Sequence, residues 1–251
     1  MNFGQVLPRA KFVGSRNDAL LRLCSGKTVL HLGFVDEGLL EDRVQQQNWL
    51  HSELSRIAKR VVGVDVSERG VNRAKGLSYA DCYVGDVERL SQADFPRLNY
   101  DIILAADIIE HVANPGLFLG EMWGITKEDT MVVVTTPNAL SIKTLFFPLV
   151  GAEAVHPDHN FYYSPTTLTT ILRKYGFRVT DIELYSSVWF RNGKKSHRFG
   201  ELIAKSLFTG VDAVLRYSVV PLFPYYSEGM LFQAKKQACR PVFGEHESHS
   251  S

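Results

Sequence analysis

From residue 28 to about residue 180, short apolar runs rich in β-branched residues alternate with amphipathic stretches. The runs are Thr28–Phe34, Arg60–Val66, Asp81–Gly85, Tyr100–Ala105 and Thr130–Thr135, and they read as strands. Between them lie Leu39–Ala58, Arg69–Gly76, Gly116–Thr126 and Pro165–Tyr175, which read as helices. In the first of these, Leu40, Val44, Leu50, Leu54, Ile57 and Ala58 recur near helical spacing. Asn114-Pro115 and Ser164-Pro165 mark helix starts, with proline in the first turn. Gly176 stands where a helix C′ glycine belongs, before a strand over Phe177–Tyr185. This alternation predicts a doubly wound α/β fold, a parallel sheet with helices on both faces. After Ser187 the pattern changes. A basic loop, "RNGKKSHRFG", leads into an amphipathic stretch, Phe199–Tyr217, and an aromatic, proline-rich segment precedes a last strand over Gly229–Lys236.

Composition narrows the classes. The 251 residues suit one domain, with a core over 28–185, an inserted helical segment over 190–226 and a frayed polar tail over 243–251. Lys and Arg total 28 against 27 Asp and Glu, which argues against a broad nucleic-acid surface. Cys24, Cys82 and Cys239 form neither a disulfide framework nor a zinc pattern. The amino terminus lacks a signal-peptide core, and no uncharged run reaches the ~18 residues that span a bilayer. A cytoplasmic protein is the expectation.

An open parallel sheet collects ligands beyond the carboxyl ends of its strands, where strand order reverses. Here those ends are Gly33, Asp65, Asp86 and Ala105-Ala106-Asp107. Asp65 follows Gly33 by 32 residues and can accept both hydroxyl protons of a ribose, while Asp86 can accept from an exocyclic amine. Together they describe an adenosyl pocket; the plainer alternative is that each caps a following helix. The loop after Gly33 is unusual. Phe34, Val35, Asp36 and Glu37 stand where small residues are expected.

The succession "VLHLG", "VVGVDVS", "YVGDVERL", "YDIILAADIIEHVANPGLFLGEM", "VVVTTPNA" and "YYSPTTLTTILRKYGF" resembles the class I S-adenosylmethionine-dependent methyltransferases, continuously from residue 28 to about 185. The resemblance implies a Rossmann-like, mostly parallel seven-stranded sheet whose last strand, Gly229–Lys236, is antiparallel. It implies S-adenosylmethionine as cofactor, bound by Gly33, Phe34, Asp36, Asp65, Val66, Asp86, Val87 and Ala106. A dehydrogenase would want the full glycine fingerprint, which is missing. Two departures stand out: His31 replaces the usual acidic residue, and the loop glycines are lost. S-adenosylmethionine carries no phosphate, so a bulkier loop that keeps Gly33 can pass beneath it, with Asp36 or Glu37 receiving its amine. The rival is a degenerate, non-catalytic binding or scaffold protein.

A second constellation is Asp107, Glu110 and His111, placed at i, i+3 and i+4 to share one helical face, with His156, Asp158 and His159 downstream. Histidine near neutral pH can take a hydroxyl proton, so His111 and His159 are candidate bases, with Asp107 and Glu110 beside them. The D-x-x-E-H pattern with a later histidine is similar to metal-dependent O-methyltransferases of ubiquinone synthesis and of small-RNA 3′ ends. That resemblance keeps open a divalent ion on Asp107, Glu110, His111 and His159, and a metal-assisted RNA 2′-O-methyltransferase. The favoured acceptor is a hydroxyl on a small molecule or sugar, including a glycolipid precursor. The 199–226 segment is a candidate lid or homodimer face.

Overall fold

A computed structural model describes residues 4–36, 38–153, 155–186 and 218–238. Its strands are β1 (Lys11–Gly14), β2 (Thr28–Leu32), β3 (Arg60–Asp65), β4 (Cys82–Val84), β5 (Ile102–Ala106), β6 (Met131–Pro137), β7 (Phe177–Tyr185) and β8 (Gly229–Lys236). They form one sheet in the order β1-β7-β8-β6-β5-β2-β3-β4, with β8 antiparallel to both neighbours and every other pairing parallel. The doubly wound α/β reading holds, with one strand more than the seven expected. The addition is β1, a four-residue edge strand beside β7, with Lys11 within 2.5 Å of Asp181 and 3.3 Å of Glu183. Four residues are too few for periodicity to declare a strand; the edge of β7 and those carboxylates supply what the local pattern lacks.

Alternation along each central strand divides the core. Val29, Ile102 and Leu104 face a layer that contains Ala19 and Leu20 of α1 (Arg16–Cys24) and Leu50 and Leu54 of a later helix, Leu50–Ile57. Leu30, Leu32, Ile103 and Ala105 face Phe118, Leu119, Leu168 and Leu172 on the other side. Those four belong to α5 (Pro115–Ile125) and α7 (Pro165–Lys174), numbered in chain order. Both start as the sequence indicates. Asn114 accepts from Leu117 N at 3.0 Å, and Ser164 and Thr167 form a reciprocal capping box with Pro165 in the first turn. The remaining helices are α2 (Leu40–Gln45), α3 (Leu50–Ile57), α4 (Glu68–Gly76) and α6 (Ile142–Phe146).

The single helix expected over Leu39–Ala58 is two, α2 and α3. Gln46 and Gln47 are exposed, and Gln47 turns the chain at φ 54°. The break lets Trp49 fold inward, where its Nε1 donates to the Phe34 carbonyl at 2.9 Å. Strand order reverses between β2 and β5, which pair as far as Leu32 opposite Ala105. The ends of those two strands therefore open the crevice. Most of the 190–226 insertion and the whole 243–251 tail lie outside the described residues, and of the expected lid or dimer segment over 199–226 only 218–226 is described.

Candidate functional site

Gly33 leaves β2 at φ 64°, and a methyl group there would come within 1.8 Å of Ile108 Cδ1. Both the backbone angle and the approach of the turn after β5 require glycine. Beyond it, Phe34 and Val35 turn into the core. Phe34 packs on Gly63, Trp49 and His51, and Val35 fills a notch at Gly70 of α4. Their bulk thus goes into the core, so a contact of Phe34 with the cofactor falls to its backbone. Asp36, at φ 57°, pairs through Oδ2 with Arg43 Nε at 3.2 Å and stays partly exposed. Glu37 lies outside the described residues.

Asp65 closes β3, almost buried. Its Oδ2 accepts from Val35 N and its Oδ1 from Ser67 N, both at 2.9 Å. One carboxylate thereby ties the first-strand loop to the start of α4. Val66 beside it is 69% exposed, an apolar surface at the strand end. Asp86 is exposed and caps the 3-10 turn Val87–Gln92 by accepting from Glu88 N at 2.9 Å. Val87 and Ala106 are half-buried beyond β4 and at the end of β5. The capping role foreseen as the plainer alternative is real for Asp86, whereas α4 is capped by Ser67 and Asp65 braces that cap residue.

Sequence reasoning passed over Arg16, the first residue of α1. Its guanidinium pairs with Asp107, which raises its pKa further. Asp107 sits in the left-handed region at φ 53°. Its Oδ1 accepts from Thr135 Oγ1 at 2.7 Å and lies 3.5 Å from the Tyr185 hydroxyl. A guanidinium and a carboxylate side by side at the crevice suit a ligand end that bears both amine and carboxylate. No local pattern marks Arg16, because it reaches Asp107 across 91 residues.

Asp107 does not share a helical face with Glu110 and His111, which corrects that expectation, although it stays close enough for its charge to act on Glu110. Residues 107–112 form a turn, and a left-handed residue at 107 breaks the i, i+3 relation. Glu110, His111 and His159 do converge, with one ligand atom from each within 4.8 Å of the others. The His111 and His159 rings meet edge to face at 4.6 Å, and His156 stands 5.4 Å from His159. Asn160, another residue not singled out by sequence, makes the junction. Its N donates to the Glu110 carbonyl at 2.7 Å and its Nδ2 to the His111 carbonyl at 2.7 Å. His111 Nδ1 lies 3.2 Å from the Asp158 carbonyl; a carbonyl only accepts, so Nδ1 carries a proton and, in the neutral ring, Nε2 holds the lone pair. Glu110 is fully buried with no hydrogen-bond partner on either carboxylate oxygen, and burial, then Asp107, push it up to about 8. Burial, then His111, push His159 down to about 4, and its Nδ1 also lacks a partner.

The family model described as "Methyltransferase domain" matches residues 39–182. The chain belongs to this family of class I S-adenosylmethionine-dependent methyltransferases. It is 32% identical over 145 residues to a ubiquinone biosynthesis O-methyltransferase of Bradyrhizobium sp. (strain ORS 278), covering 56% of this chain and 51% of that protein. To the protein of the same name from Rhodopseudomonas palustris (strain HaA2) it is 28% identical over 181 residues, covering 66% and 64%. It thus spans between half and two thirds of these curated relatives. A solved S-adenosylmethionine-dependent methyltransferase from Archaeoglobus fulgidus shares the fold at TM-score 0.52 and 21% identity, covering 88% of this chain and 91% of that one.

The family implies S-adenosylmethionine, which would lie across the crevice just described, and the residues present fit it. At the strand ends Asp65 would face a diol, and Val66 with Asp86 would offer an apolar face and an acceptor for a purine. Arg16 and Asp107 match a zwitterion. The same methyltransferase domain carries a buried histidine where the family has an acid. His31 Nδ1 lies 3.3 Å from His51 Nδ1, and His51 Nε2 lies 3.5 Å from Cys82 Sγ. Burial holds His31 well below the usual histidine range and His51 at about 3, so both are neutral. They pack β2 against α3. Among the described residues no helix is long and apolar enough to cross a membrane.

Proposed function

We propose that this chain transfers a methyl group from S-adenosylmethionine to a hydroxyl on a small acceptor with an apolar or aromatic body. The observation that carries the reading is the convergence of Glu110, His111 and His159 beside the strand-order reversal. When bound, the cofactor supplies an electrophilic methyl group on a sulfonium, so the protein has to position the acceptor and remove its proton. His111 Nε2 accepts that proton, and ionised Glu110 stabilises the imidazolium that results. Phe161 and Tyr163, their rings 6.2 Å apart, follow this cluster and offer the acceptor an apolar wall; Phe161 N donates to the Glu110 carbonyl. Leu140 and Phe161 are partly exposed nearby, which favours an aromatic or glycolipid-like acceptor over a bare sugar. The name of the bacterial relatives supports oxygen as the methylated atom.

Calorimetry with S-adenosylhomocysteine, followed by tritiated methyl transfer to candidate hydroxyl acceptors, tests the proposal. Absence of binding at ~1 mM, the upper end of ordinary cofactor affinities, overturns it in favour of a non-catalytic binding protein. Label appearing only on protein or nucleic acid overturns the acceptor class.

A second reading adds a divalent ion. The unpartnered oxygens of Glu110 and the unpartnered Nδ1 of His159 are what an absent cation would leave behind, and one carboxylate with two imidazoles suits Zn²⁺ or Mn²⁺. Glu110, His111 and His159 would hold it, and it would supply Lewis acidity toward the acceptor hydroxyl. Asp107 would not belong to this set, because Arg16 and Thr135 engage it. Thermal melts with added Zn²⁺ or Mn²⁺ should rise for the wild type and stay unchanged for H159A. Equal rises in both proteins sink the metal reading and leave the base.

A further inference from the structure

We propose that a cavity between the 3-10 turn Val87–Gln92, the loop after it and α5 is a second ligand site. It would take a small carboxylate with an apolar body and alter cofactor affinity. The cavity holds about 460 Å³, within the range of small-molecule sites. Tyr100 and Lys127 in its lining precede β5 and β6, so it opens at the amino-terminal ends of the strands. Gly33, Asp65 and Asp107 stand at the opposite ends.

The walls are apolar and the polar complement is cationic. Phe95, Leu98, Tyr100 and Ile125 line the interior, with Arg97 and Lys127 beside them. Arg97 is held in place by the Phe95 ring at 3.9 Å and by Nη2 donating to the Leu90 and Ala93 carbonyls at 2.6 and 2.9 Å. Its Nη1 and Nε make no further hydrogen bond among the described residues. Lys127 donates to Asn99. The acidic side chain in the lining, Glu121, is occupied by Ser91, accepting from its N at 2.5 Å and its Oγ at 3.1 Å. An anion therefore meets two cations and a carboxylate that already has partners.

The α5 wall is open for a reason that packing does not supply. Glycine inside a helix is unfavourable relative to alanine. At Gly116 a methyl group would meet the Tyr175 hydroxyl at 2.2 Å, which accounts for that glycine. At Gly124, in the cavity wall, a methyl group would meet nothing within 4 Å. That glycine keeps volume free rather than admitting a neighbour.

The coupling runs through the turn. Asp86 caps it, and Glu88 within it accepts from Ala113 N and Asn114 N at 2.6 and 3.1 Å, at the start of α5. A ligand that parts the turn from α5 shifts the carboxylate expected beside the adenine.

Saturation-transfer NMR with benzoate, 3-phenylpropionate and octanoate, read without cofactor, tests the site independently of methyl transfer. At least one probe should bind with a Kd below ~10 mM, and its uncharged amide should bind about fivefold more weakly. Gly124→Leu fills the wall and should fold, since leucine favours helix; it should weaken the probe about tenfold or more, and Arg97→Gln about fivefold. No binding by any probe, or binding indifferent to Gly124→Leu, overturns the site. Unchanged S-adenosylhomocysteine affinity at saturating probe overturns the coupling.

Discussion

Three side chains carry most of the chemistry at the residue scale. Asp65 joins the loop after β2 to α4 and faces the proposed ribose position, so Asp65→Ala should weaken S-adenosylhomocysteine by about 1–3 kcal/mol, measured by calorimetry. His111→Ala should lower turnover ~10²-fold or more with cofactor affinity unchanged, the scale of a lost general base. Glu110 gives the pH dependence its sign. Its carboxyl is raised to about 8, first by burial and then by Asp107, and the ionised form is the one that stabilises a protonated His111. Turnover should therefore climb with pH and level off above about 8. Glu110→Gln should abolish that limb, and a limb that survives the substitution assigns it to another group. Asp65, Glu110 and His111 were legible in the sequence, because acids at strand ends and a D-x-x-E-H run are local signals. Arg16 and Asn160 were not, because their partners lie 91 and about 50 residues away.

At the scale of elements, the unusual loop after β2 is explained by where its bulk goes. Val35 occupies the notch that Gly70 leaves in α4; a methyl group at Gly70 would come within 2.2 Å of Val35 Cγ1. Gly70→Ala gains helix propensity but overpacks this contact, which ordinarily costs about 1–3 kcal/mol. Urea unfolding should show net destabilisation in the wild-type background and less or none in a Val35→Ala background. Additive effects would mean that the two elements do not share this contact. The sequence displayed four large or charged residues in place of glycines without indicating that two of them face inward. Side-chain direction in an irregular loop has no period from which to read it. The split of α2 from α3 is a similar case: the apolar spacing on either side of Gln46–Asn48 is helical, and only the docking of Trp49 onto the Phe34 carbonyl shows why the chain turns.

A neutral histidine pair is buried between the central strand β2 and α3, and this shapes the response of the whole molecule to acid. His31 and His51 are held below their ordinary values by burial, so the unfolded chain takes up their protons first as pH falls through about 6.5. Their contribution is complete above that pH and is lost below it, by about 3 kcal/mol for the pair between pH 6.5 and 5.0. Glu110, with its pKa raised, works in the opposite direction, so the test is a difference. Urea titrations of a His31→Val/His51→Leu double variant should show an acid-induced loss about 3 kcal/mol smaller than that of the wild type. Equal losses would place the protonation elsewhere. The sequence by itself determined the doubly wound class, the helix caps at Asn114 and Ser164, the antiparallel last strand and the acids at the strand ends. Each of these is written in short-range periodicity, in capping chemistry or in a resemblance carried by contiguous motifs. Tertiary structure alone decided the edge strand β1, the pairing of Arg16 with Asp107, the inward turn of Phe34 and Val35, and the convergence of His159 with Glu110 and His111. These depend on contacts between segments far apart in the chain and on a left-handed backbone at an aspartate, and neither leaves a periodic trace in the order of the residues.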